Sequence, residues 1–159
     1  MRHPHRVRGV RRRADALARL ERWDEAVKQF EKTIALAGDE QPQLLNEGFY
    51  FRYAAAHERR KDFAKAEELF RKTIEMIAKN DPEDENKEFT ATVYNYLGYM
   101  WLENGMKIDE AGELIKTAAE LDPAQLQRVL EVDDAERRPG PFPSAVVGHV
   151  REPPVRRAA

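Results

Sequence analysis

Residues 91–123 read ATVYNYLGYMWLENGMKIDEAGELIKTAAELDP, and their reading decides the fold. Tyr94, Leu97, Gly98 and Trp101 recur at i, i+3, i+4 and i+7, which is one face of a helix. Ala111, Leu114, Ile115 and Ala118 repeat that spacing further on. Between them, Asn104-Gly105 supplies a helix stop, because glycine enters the left-handed conformation that a C-terminus needs. Asp122-Pro123 ends the second helix, since proline disfavours helical geometry in the residue before it. The stretch therefore predicts a tight helical hairpin.

Upstream, the same signature recurs. FEKTI, from Phe30 to Ile34, and FRKTI, from Phe70 to Ile74, are internal self-similarity. Ala26, Ala66 and Ala111 align as the small residues of three second helices, 40 and 45 residues apart. Ala14, Ala54 and Gly98 hold the matching place on the first helices. Small side chains there let two helices approach closely, and Gly98 is the sharpest case: a glycine within a helix costs up to about 1 kcal/mol against alanine. Hairpins of this length cannot bury their apolar face alone, so neighbours must stack on them. Repeats are expected at about 13–38, 43–80 and 87–123, separated by the polar turns GDEQP and DPEDEN, with one extra residue in the turn GMKIDEA. The first repeat has a poor first helix, with Val10, Arg13, Ala14 and Leu17 on its packing positions.

Composition limits the alternatives. The net charge of −2 conceals a segregation: residues 1–22 carry +6, residues 23–123 carry −9 and residues 124–159 carry +1. Cysteine is absent, which removes disulfides, thiolate metal sites and cysteine nucleophiles. No apolar run approaches the roughly 18 residues of a membrane span, and no apolar segment follows the basic start as in a secretory signal peptide. Cytoplasmic location is the default expectation, and the compartment is otherwise open. No constellation argues for an enzyme, a metal or a cofactor: His3 and His5 lack a nearby carboxylate, and His57 sits on a packing face beside Tyr50, Tyr53 and Ala54.

Residues 1–12 are mostly arginine and are expected to form a disordered basic arm. Such an arm offers guanidinium groups to phosphates, which leaves a nucleic-acid-binding protein as the alternative function. A solvated arm is the favoured reading and nucleic acid the unlikely one, since the remaining body is acidic and no aromatic stacking platform lies among the arginines. After Pro123 the pattern fades. Residues 124–137 suggest a capping helix, with Asp122 as N-cap and Pro123 at the first helical position. Residues 138–159 hold five prolines and are expected to be disordered.

The whole is an all-α chain, an α-solenoid of antiparallel helix hairpins with about two and a half repeats. Residues Tyr94-x2-Leu97-Gly98-x2-Trp101, Ala111-x3-Ile115 and Pro123 follow the tetratricopeptide pattern. Asn95 to Tyr99, Gly105, Asp109 to Ala111 and Glu120 to Pro123 match its bacterial type, so over about residues 14–123 the chain resembles a tetratricopeptide-repeat protein. The resemblance implies a right-handed superhelix and a non-catalytic scaffold that binds a protein or peptide in its concave groove. Carried over, the groove is lined by Phe51, Ala55, Glu58 and Arg59 in the middle repeat and by Asn95, Tyr99, Leu102 and Glu103 in the last. Within it Phe51 and Tyr99 are aromatic anchors and Asn95 a backbone-binding amide; a second reading has both aromatics packing between adjacent first helices. Thr92 and Tyr96 stand where chaperone-binding members carry basic residues, so chaperone tails are poor candidates. Both termini lack lysine and lose the repeat, which also allows a truncated or frame-slipped piece of a longer repeat protein. If the chain is complete, its bare end helices favour self-association.

Overall fold

The computed structural model describes residues 4–125. They form six α-helices and one short 3-10 turn, and no strand occurs among the described residues. The helices are α1 (Pro4–Arg19), α2 (Trp23–Ala37), α3 (Glu47–Arg59), α4 (Phe63–Asn80), α5 (Lys87–Glu103) and α6 (Ile108–Leu121). The all-α class and the packing of adjacent helices in pairs agree with the sequence. The expected capping helix beyond residue 125 and the Pro-rich tail lie outside the described residues. No described helix is long and apolar enough to cross a membrane.

Two compact units divide the chain, with the described residues 4–73 in one and 74–125 in the other. In the first unit α1 packs on α2, and α2 on α3. Its core is aromatic: the Phe30 ring lies 5.4 Å from both Phe49 and Tyr53. The first part of α4 joins α3 through Phe70, whose ring centroid is 6.0 Å from that of Phe51. Here the internal repeat becomes physical. Ala26 and Ala66, Phe30 and Phe70, and Thr33 and Thr73 are all fully buried. Each threonine hydroxyl donates to the carbonyl one turn back, Thr33 to Gln29 and Thr73 to Leu69, at 2.8 Å in both cases.

In the second unit α5 packs along α6. Gly98 stands at their closest approach: a Cβ added there would lie 2.8 Å from Ile115 Cγ1 and 3.1 Å from the Ala111 carbonyl oxygen. Any side chain at that point would push the helices apart. Ala111 and Ala118 are fully buried on the facing helix.

Two expected boundaries move. Helix α1 begins at Pro4, inside the stretch expected to be a disordered arm. Val7 is the reason: it is 1% exposed and clusters with Ala37 and Leu44, so the apolar stripe of α1 extends a full two turns before Ala14. The second first-helix, expected from about Gln43, instead begins at Glu47, because Asn46 caps it by accepting from the Phe49 amide at 3.0 Å. Asn86 caps α5 in the same way, accepting from Phe89.

Candidate functional site

Each hairpin turns on one backbone motif. After α1, the Arg22 amide donates to the Leu17 carbonyl at 2.9 Å and the Glu21 amide to Ala18 at 3.0 Å. After α3, Asp62 donates to His57 at 2.9 Å and Lys61 to Glu58 at 2.8 Å. After α5, Met106 donates to Trp101 at 2.8 Å and Gly105 to Leu102 at 3.1 Å. This paired closure is the Schellman motif, and it requires a left-handed residue just past the helix end. Glu21, Lys61 and Gly105 fill that place with φ of 57°, 62° and 64°. Only the last is a glycine, so only there does a residue type announce the stop.

The eight groove candidates divide by depth. Phe51 and Ala55 are buried, and Phe51 packs against Phe70. Glu58 is also buried, its Oε2 lying 3.4 Å from Arg59 Nε, and Arg59 is half-buried. Asn95 is buried and its amide is already engaged: Nδ2 donates to Gln125 Oε1 at 2.7 Å. Gln125 in turn donates through Nε2 to Thr92 Oγ1 at 2.5 Å, and Thr92 donates to the Glu88 carbonyl at 2.8 Å. Tyr99 is half-buried, Leu102 is 37% exposed and Glu103 lies at the surface. The outward members are thus Arg59 in the first unit and Tyr99, Leu102 and Glu103 in the second.

Gln125 reaches Asn95 because a new helical turn begins at Pro123, with Asp122 Oδ1 accepting from the Gln125 amide at 3.2 Å. The cap was legible in the sequence, whereas the contact was not: the partners are thirty residues apart.

His57 is a core histidine, as its packing-face position suggested. Its Nδ1 lies 3.0 Å from Asp62 Oδ2, across the Schellman turn, and its ring centroid is 4.9 Å from that of Tyr53. Among the described residues its buried Nε2 has no hydrogen-bond partner. Burial holds the His57 pKa below its ordinary value, with the Arg60 charge adding to the effect; the Asp62 bond and the Glu31 charge oppose it. Burial likewise pushes the Tyr53 phenol up to about 12, reinforced by the carboxylates of Glu31 and Glu68.

An open cleft of about 450 Å³ lies in the first unit. Trp23 lines it together with Glu21, Arg22, Asp24 and Glu25 from the first turn and Arg59 and Arg60 from the second. Arg60 Nε pairs with Asp24 at 2.7 Å and Arg22 with Glu25 at 2.6 Å, so acids and bases face one another within it. Such a lining has no dominant sign to select a charged ligand. The chain matches no known family model, and no curated protein resembles it significantly.

Proposed function

We propose that the chain is a non-catalytic protein-interaction module of the tetratricopeptide type, a solenoid of helix hairpins that receives a protein or peptide partner. The observation that carries this reading is the threefold recurrence of one Schellman turn, each followed by a second helix with a fully buried alanine, Ala26, Ala66 or Ala111. Repetition of a single supersecondary unit is the signature of scaffolds that offer an extended surface rather than an enclosed site.

Tyr99, Leu102 and Glu103 form the accessible part of the proposed binding stripe in the second unit. Leu102 is one of few large apolar side chains exposed among the described residues, and it supplies the apolar anchor. Asn95→Ala would act on packing as well as on binding, because it leaves the buried Gln125 Oε1 without the donor at 2.7 Å. Capture with the full chain as bait should return a partner that both Tyr99→Ala and Leu102→Glu release, with helical content unchanged by circular dichroism. Retention of every captured protein by both variants would overturn the assignment of this stripe.

A further inference from the structure

We infer that the outer face of α1 is a docking surface for duplex DNA, with the helix seated in the major groove. This inference stands apart from the proposed protein-binding stripe and uses none of its residues. It arises because the arginine-rich start of the chain is a helix, which fixes where its charges sit.

Helix α1 has Val7, Ala14, Leu17 and Ala18 buried, and these define its inward side. At about 100° per residue, the exposed residues fall into three rows. Arg8, Arg12 and Arg19 form one row and Arg6 and Arg13 another, about 130° apart around the axis. Between the rows runs a crest of His5, Gly9 and Ala16, all exposed. A Cβ built on Gly9 meets nothing within 4 Å, so the crest is low and open. The helix carries a single acid, Asp15, on its flank and paired with Arg52 at 3.0 Å. Among the described residues none of the five exposed arginines has an ion-pair partner.

A low crest between two cationic rows has a specific complement. Arginine tips about 8 Å from the axis and 130° apart are separated by roughly 15 Å, close to the major-groove width of about 12 Å. The crest can enter the groove while each row reaches one phosphate strand. From Arg8 to Arg19 the helix rises about 16 Å, or some five base pairs. Duplex RNA is a poorer fit, because its major groove is too deep and narrow to admit a helix. An anionic membrane is also poorer: helices that bind there bury large apolar residues, and here the apolar face is already packed. The acidic charge elsewhere acts weakly, since fields at the surface decay within about 8 Å at physiological salt.

The test uses the full chain and a labelled 20-base-pair DNA duplex, followed by fluorescence anisotropy from low to physiological salt. Neutralising five phosphates predicts a slope of log K against log salt of about −4.5. Gly9→Glu and Ala16→Glu place an acid on the crest without touching the core, and each should weaken binding by about tenfold or more. Gly112→Glu makes the same charge change on α6, where an added Cβ also meets nothing, and should weaken binding less than about twofold. Circular dichroism identical to wild type keeps the comparison valid. A flat salt response, equal loss in Gly112→Glu and Gly9→Glu, or equal binding to duplex RNA or to vesicles containing phosphatidylserine would each overturn the inference.

Discussion

The turn after α3 and the turn after α5 close with the same hydrogen bonds but are held by different chemistry. At the later turn the left-handed residue is Gly105, and the closing bond falls on the Trp101 carbonyl, with Lys107 Nζ 4.9 Å from the indole centroid. At the earlier turn the left-handed residue is Lys61, and the positions matching Trp101 and Met106 are His57 and Asp62, which bond to each other. An indole and a thioether at these two places in the second unit are replaced by a bonded polar pair in the first. The polar version carries backbone strain and a titratable group, so the same geometry has different sensitivities.

The largest effect is expected where the later hairpin is tightest. Gly98→Leu should destabilise the protein by roughly 3 kcal/mol, because even its Cβ collides with Ile115 and with the Ala111 carbonyl. A denaturation midpoint equal to wild type would show that the helices can separate there at no cost. Asp62→Ala should come next, at about 1–3 kcal/mol, since it removes the partner of a buried ring whose other nitrogen is already unsatisfied. No comparable loss is expected from Met106→Ala beyond its own packing.

The turn residues themselves should respond in opposite directions. Gly105→Ala forces a side chain into positive φ and should cost about 1 kcal/mol, whereas Lys61→Gly removes that strain and should gain up to about 1 kcal/mol. Chemical denaturation of both variants checks the pair, and equal shifts would break the comparison.

Titration should separate the two turns most finely. Folded His57 protonates below its ordinary value of 6.5, so the unfolded chain takes up the proton first as pH falls. Stability from this group is complete above about pH 6.5 and declines below it until the folded ring is itself protonated. Tyr53 acts at the other end: its neutral form is favoured, so stability declines as pH rises from 10 towards 12. His57→Phe should flatten the acid limb and Tyr53→Phe the alkaline one. Limbs unchanged by either substitution would assign the pH dependence elsewhere.

Sequence alone determined the pairing of helices into hairpins and those stops that a residue type announces, because these follow from local periodicity and from residues suited to a left-handed turn or a cap. Gly105, Asn104, Asp122 and the alanine series were legible for that reason. Lys61 and Glu21 were not, since neither residue type announces positive φ. What only the tertiary structure decided was depth. Phe51 and Tyr99 occupy matching places in their stripes, yet one is fully buried and the other only half-buried. Asn95 was read as a surface amide, and Gln125, distant in the chain, occupies it. The arginines up to Arg12 read as an unstructured arm, and it is Val7 that anchors their helix on Ala37 and Leu44. Burial depends on which neighbours arrive from elsewhere in the chain, and no local pattern carries that information.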